Sequence, residues 1–355
     1  MHRSARVFGA LVLVSAGVPV LAGAANGTSA SRASGWKVSD LGTLGGNESA
    51  ATATNNKGQI VGWSTTRTGA KHAFLWENGT MRDLGTLGGT ESAALALNER
   101  GQIVGWSTSK DGTKKAALWA SGVIRALEQR DTIAFGGSVA TGINVHGDVS
   151  GYWWRKKRQR PDSRPCRGPG GATCGSGLLW RSGSVEGLGM FSQAGWSAAY
   201  GLNDDGVIAG SSGRAMFWWQ AGNQFADFGP ADGVARAVNS HRITVGWTLT
   251  GGRRRAFLWS GVYPQRPVLL GTLGGRTSVA YGINSRSQVV GTSAMKRGGA
   301  HAFVWAAGAM RDLGTLPGGR SSSAAGIDDR GRIVGSSSTR GGHSHVVIWT
   351  PRAAS

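Results

Sequence analysis

Apolar positions along this chain come in short runs that alternate with polar positions, and turn residues separate the runs. In one stretch, Ser92 to Asn98 is rich in small residues and includes Ala94 and Ala96, and Gln102 to Ser107 (QIVGWS) is β-branched and aromatic. Ala116 to Trp119 is a third short apolar run, and Val123 to Leu127 a fourth. Asn98-Glu99-Arg100-Gly101, a Ser/Lys/Asp/Gly stretch and Ser121-Gly122 divide them. The period is two, not 3.6, so each run predicts a strand. Four strands in about 43 residues is the content of one propeller blade.

The same unit recurs along the chain. Leu84-Gly85-Thr86-Leu87-Gly88-Gly89 reappears at Leu41 to Gly46, at Leu270 to Gly275 and, with Pro317 inserted, from Leu313 to Gly319. Degenerate versions begin at Leu127, Leu188 and Phe228, so the seven anchors lie 43, 43, 61, 40, 42 and 43 residues apart. A turn-forming Asn or Asp with a Gly seven residues later follows each anchor: Asn55/Gly62, Asn98/Gly105, Asn144/Gly151, Asn203/Gly210, Asn239/Gly246, Asn284/Gly291 and Asp328/Gly335. A tryptophan then closes the third run of each unit, at 76, 119, 180, 219, 259, 305 and 349. The fold class that follows is all-β, a seven-bladed β-propeller of four-stranded blades. Trp36 to Leu41 resembles the closing strand of other units, and the last unit lacks that strand. The N-terminal strand is therefore expected to complete the last blade and close the ring.

Composition then sharpens the picture. Glycine numbers 60 of 355 residues, against only 9 prolines, which fits repeated turns better than a collagen or a Pro-rich tract. Residues 1–24 read as a signal peptide, with Arg3 and Arg6, an apolar core from Val7 to Val20 and the Ala22-Gly23-Ala24 cleavage pattern. A short flexible segment (25–35), the propeller (36–350) and a tail (351–355) would follow, giving a secreted monomer, extracellular or periplasmic, without a membrane span. Cys166 and Cys174 are the only cysteines, and an oxidising compartment favours a disulfide between them.

Formal net charge is +20, with one concentrated source. Gly151 to Trp180 spans 29 residues where Gly105 to Trp119 spans 14, which places an insertion between the second and third strands of the third blade. Residues 152–178 carry seven Lys/Arg and one Asp: Trp153, Trp154, Arg155, Lys156, Lys157, Arg158, Arg160, Arg164 and Arg167 make the candidate contact for an anionic ligand. The corresponding loops of later blades carry Arg253, Arg254, Lys296 and Arg297, so one end of the ring is expected to be cationic. Basic residues beside aromatic ones suit an anionic polysaccharide, a cell-wall polymer or a nucleic acid, and a protein partner also fits. A merely solvated loop is the plain alternative.

His72-Ala73-Phe74 and His301-Ala302-Phe303, set between an Asn-x-x-Gly turn and Asp-Leu-Gly-Thr-Leu, resemble the bacterial extracellular repeat proteins named for that tripeptide, the HAF repeat. The resemblance covers residues 36–350 and implies export and repetition, but no activity. Other copies depart from it, with Lys115, Arg255 and His345-Val346-Val347 at the tripeptide. A cation at the His position argues against metal ligation. No Gly-x-Ser-x-Gly, His-Glu-x-x-His or P-loop occurs, and no catalytic residue, cofactor or metal is assigned. Three functions stand: a non-enzymatic binding or scaffold module, a lyase or glycoside hydrolase with carboxylates or histidines converging at the axis, and a structural or adhesive repeat without a specific ligand.

Overall fold

The computed structural model describes residues 35–127, 135–155, 173–189, 196–213, 215–220, 223–260 and 266–352. They form seven antiparallel four-stranded blades in a ring. Blade 1 is β2 (Gly45–Thr54), β3 (Ile60–Thr66), β4 (Lys71–Glu77) and β5 (Thr80–Asp83). Blade 2 is β6 (Gly88–Leu97), β7 (Ile103–Ser109), β8 (Lys114–Ala120) and β9 (Val123–Ala126), and blade 3 is β10 (Phe135–Ile143), β11 (Val149–Arg155), β12 (Thr173–Arg181) and β13 (Ser184–Gly187). Blade 4 has β14 (Ser197–Leu202), β15 (Ile208–Ser212) and β16 (Ala215–Gln220), then the first part of β17 (Asn223–Val238), whose second part opens blade 5. Blade 5 continues with β18 (Thr244–Thr250), β19 (Arg253–Trp259) and β20 (Val268–Leu269). Blade 6 is β21 (Gly274–Ile283), β22 (Val289–Met295), β23 (Ala300–Ala306) and β24 (Ala309–Gly314). In blade 7, β25 (Ser322–Ile327), β26 (Ile333–Ser338) and β27 (Ser344–Pro351) are completed by β1 (Trp36–Asp40), as the split unit predicts.

Repeated sequence features become repeated contacts. The Gly of each QIVGWS-like run sits where a Cβ would strike the facing strand: at Gly62 it would lie 2.0 Å from the Ala50 carbonyl oxygen, and at Gly335 1.9 Å from that of Ser323. The Phe of the tripeptide pairs across from this Gly and is fully buried at Phe74 and Phe303. The recurrent tryptophans pack between blades. Trp119 joins Val61, Ala73 and Leu75 of blade 1, and Trp349 joins Val290, Ala302 and Val304 of blade 6. A buried serine near the start of most inner strands latches neighbouring blades. Ser92 accepts the Ala73 N–H and donates to the Gly85 carbonyl, and Ser322 does the same with Ala302 and Gly314.

A second latch runs around the opposite end. Asn55 Oδ1 accepts the N–H groups of Lys57 and Gln59, capping its own turn, while its Nδ2 donates 3.2 Å to the Asn98 carbonyl of the next blade. Asn98, Asn144, Asn203, Asn239 and Asn284 continue the chain, each donating to the carbonyl of the corresponding residue of the next blade. At the seam the residue is Asp328, whose carboxylate has no proton to donate. Arg332 supplies it: Nε donates to Asp328 Oδ2, and Nη2 reaches the carbonyls of Asn55 (3.3 Å) and Asn56 (3.0 Å) in blade 1. The ring of hydrogen bonds is thus closed by a different chemistry at its last joint.

Candidate functional site

The two ends of the ring differ. At the Asn-turn end, a cavity of about 260 Å³ is lined by the turns of several blades, among them Asn56, Glu99, Asp204 and Asp329. These carboxylates are engaged between blades. Glu99 accepts the Asn56 N–H, Asp204 that of Val145, and Asp329 the N–H and Oγ–H of Ser285. Burial pushes the Asp329 carboxyl up, but the Ser285 and Asn56 hydrogen bonds outweigh it and leave it below its ordinary value. Among the described residues, no group of three or more His, Cys, Asp or Glu side chains is placed to hold a metal ion.

The tripeptide histidines are placed away from the axis, on third strands. His72 Nδ1 lies 2.7 Å from Asp83, His301 Nδ1 2.9 Å from Asp312, and His345 Nδ1 2.8 Å from Asp40 on the closing strand. Each Asp also accepts the N–H of the Gly two residues on, so the pair shapes the Asp-Leu-Gly turn. The carboxylate absent from the sequence neighbourhood of His345 is therefore supplied across the seam. Two units that carry another cation at the His position lack the Asp as well, Lys115 with Ala126 and Arg255 with Leu269. The tripeptide is a turn clamp. Replacing His301 with Ala should cost about 1–2 kcal/mol, because it strips a hydrogen bond from a carboxylate. The same change at His72 should cost less, since the Asp312 side chain is 9% exposed and Asp83 40%. Equal losses in urea unfolding would contradict this account.

The other end carries the loops between second and third strands and the blade-to-blade connections, which are pinned to them at Leu44↔Thr66 and Leu87↔Ser109. Of the five blades where that loop is fully described, four carry an exposed cation on it: Arg67, Lys110, Lys296 with Arg297, and Arg340. The blade 5 loop is Gly251-Gly252, and Arg253 and Arg254 belong to strand β19, with Arg254 exposed and Arg253 half-buried. Three blades repeat one arrangement, a cation over the tryptophan that follows the strand-2 Gly. Lys71 Nζ is 4.0 Å from the Trp63 ring centre, Lys114 Nζ 3.6 Å from that of Trp106, and the Arg254 guanidinium 4.7 Å from that of Trp247. Burial pulls both lysines below their ordinary value, and Glu91 opposes it. Sequence reasoning missed Lys71 and Lys114; the signal was a basic residue before the tripeptide in units whose second strand reads Gly-Trp.

The insertion is where the sequence placed it, between β11 and β12. Trp153 and Trp154 belong to strand β11 at its base, not to a loop. Trp153 packs against the blade 2–3 core, and Trp154 lies over Gly137 and 6.1 Å from Tyr152. Lys156, Lys157, Arg158, Arg160, Arg164 and Arg167 lie outside the described residues, as do the Arg155 side chain and the expected Cys166–Cys174 disulfide.

The paired alanines of the first strands do not line the axis. Ala94, for example, is turned into the core beside blade 1. The residue after it is a bulge, and this register reads Thr52, Leu95, Thr141, Tyr200, Arg236, Tyr281 and Ala325 around the ring. The residue beyond is Ala or Gly because the neighbouring strand crowds it: a Cβ on Gly326 would lie 3.2 Å from Ala53 Cα across the seam. Thr52 and Thr141 spend their hydroxyls on backbone carbonyls of adjacent strands. Blades 4 to 6 instead converge large polar groups, with the Arg236 guanidinium 4.9 Å from the Tyr200 ring centre and 6.0 Å from that of Tyr281.

The chain matches no family model, and a search of curated proteins gave no match. Among solved structures it is similar to the oligogalacturonate lyase of Vibrio parahaemolyticus, with TM-score 0.59 and 9% identity over 88% of this chain and 93% of that one. It is also similar to the β-propeller domain of the Trilobed protease of Pyrococcus furiosus, with TM-score 0.56 and 10% identity over 86% and 94%. A third is the acylaminoacyl peptidase of Pyrococcus horikoshii, with TM-score 0.55 and 12% identity over 87% of this chain; the chain spans 53% of that protein. These likenesses define the class, a β-propeller, and at such identities they show the fold alone.

Proposed function

We propose that this chain is an exported, HAF-like binding module that holds an anionic polymer across the loop-bearing end of its propeller. One observation carries the reading: the cation-on-tryptophan arrangement repeats in blades 1, 2 and 5, with exposed Lys or Arg on four of the five fully described loops of the same end. A cation held over a ring is pre-oriented, so less side-chain entropy is lost when a polyanion arrives. The insertion adds further Lys and Arg at blade 3. Glu99, Asp204 and Asp329 at the other end serve as inter-blade acceptors.

Retention on immobilised heparin, duplex DNA and neutral dextran tests this. Affinity for the charged supports should fall linearly with salt on logarithmic axes, with a slope that shrinks by about one for each contacting cation removed. Arg254→Gln with Lys296→Gln and Arg297→Gln, and separately replacement of residues 156–172 by a Gly-Ser linker, should each reduce that slope. Retention that ignores ionic strength, or equals that on dextran, would sink the reading. Preference between heparin and DNA would identify the polymer.

A further inference from the structure

Arg236 is the one charged residue of the axial register. It comes from the second part of β17 and lies between Tyr200 of blade 4 and Tyr281 of blade 6. Among the described residues no acceptor reaches its buried Nε and no carboxylate pairs with it. A guanidinium presents up to five donors, and burying one without an acceptor is costly. The neighbours do not answer that cost, because a phenol ring face attracts the cation but accepts no in-plane hydrogen bond. Tyr152 stands behind, 6.4 Å from Tyr200, and Tyr281 is 37% exposed. Leu202, Val238 and Ile283, two residues further along the same strands, line the cavity at the Asn-turn end. That distance is about 7 Å. The cluster is thus a cationic fork set among aromatic side chains, two residues along the strands from the lining of that cavity.

We propose that Arg236, Tyr200 and Tyr281 form a binding station at the propeller axis for a carboxylate carried on a sugar ring, a hexuronate residue. The planar guanidinium matches a carboxylate bidentately. A single cation balances a monoanion, whereas a phosphate dianion calls for more positive charge than this register holds. The exposed Tyr281 ring offers an apolar face to the C–H face of a pyranose, and its hydroxyl can donate to the sugar's oxygens, while Tyr200 backs the guanidinium. Burial holds the Tyr152 hydroxyl up at about 12 and pushes that of Tyr200 up as well, so both keep their protons at neutral pH. The station is separate from the loop-bearing end, and its test can fail while the polymer reading stands.

Ligand-observed NMR titration of the full chain with D-glucuronate, D-glucose and D-glucose 6-phosphate decides it. D-glucuronate should bind at least tenfold more tightly than D-glucose. Arg236→Gln should abolish that difference without lowering the melting temperature, because it removes a half-buried cation whose Nε has no acceptor among the described residues. Tyr281→Ala, at a partly exposed position, should weaken binding several-fold, and Arg236→Lys, which keeps the charge but not the fork, about tenfold. The Arg254/Lys296/Arg297 variant should bind D-glucuronate as the parent does. D-glucuronate binding no tighter than D-glucose, tighter binding of the 6-phosphate, or undiminished binding in both Arg236 variants would overturn the assignment.

Discussion

A chain that starts at residue 42 should be less stable than one that starts at residue 35 by about 5 kcal/mol or more, the order of a small domain's whole stability. The difference is strand β1. It pairs with β27 from Trp36↔Pro351 to Asp40↔Val347, packs Trp36 and Val38 against the core that holds Trp349, and brings Asp40 to His345. Partial burial of these two side chains is worth about 1–1.5 kcal/mol each, and each ladder hydrogen bond adds about 0.5–1.5 kcal/mol net. The shorter chain also leaves β27 as a bare edge, which invites pairing with another chain. Urea unfolding with light scattering reads both effects. A peptide of residues 35–42 added in trans should recover part of the loss. Unchanged stability on truncation would mean that the ring does not depend on its closing strand.

Arg332→Ala should cost about 3–5 kcal/mol, the range for breaking a buried ion pair from one side. The Asp328 side chain is wholly buried, and Arg332 is both its counter-charge and the donor to blade 1. The decisive variant is the double one, Asp328→Asn with Arg332→Gln. It rebuilds the arrangement of blades 1, 2 and 6, where Asn55, Asn98 and Asn284 pair with Gln59, Gln102 and Gln288. That double change should recover most of the stability lost by the single one, a coupling that a thermodynamic cycle measures directly. A double variant as unstable as Arg332→Ala would show that the seam needs the ion pair itself.

Much of the molecule is legible in the sequence because every blade solves the same local problem. The turn needs its Asn or Asp, the second strand needs Gly against the facing first strand, and the inter-blade core needs its Trp, so three marks repeat in fixed order and give blade number and register. The missing fourth strand of the last unit likewise announces the closure. The insertion between β11 and β12 is legible as one long interval, although Trp153 and Trp154 extend the strand instead of crowning the loop. Arg254 is singled out by charge alone, while its seat over Trp247 follows from the pairing of β18 with β19.

The sequence by itself determined the propeller, its seven blades, its closure and the concentration of positive charge. Tertiary structure alone decided three things: that each turn Asn serves the next blade, that the tripeptide His clamps an Asp, and that Tyr200, Arg236 and Tyr281 meet. The physical reason is the same for all three. Strands within a blade are set by short-range alternation and turn chemistry, which every unit repeats. Contacts between blades, across the axis and at the seam depend on how the sheets curve into a ring. There the informative residues are the ones that differ from unit to unit, as Asp328 with Arg332 and the lone Arg236 do.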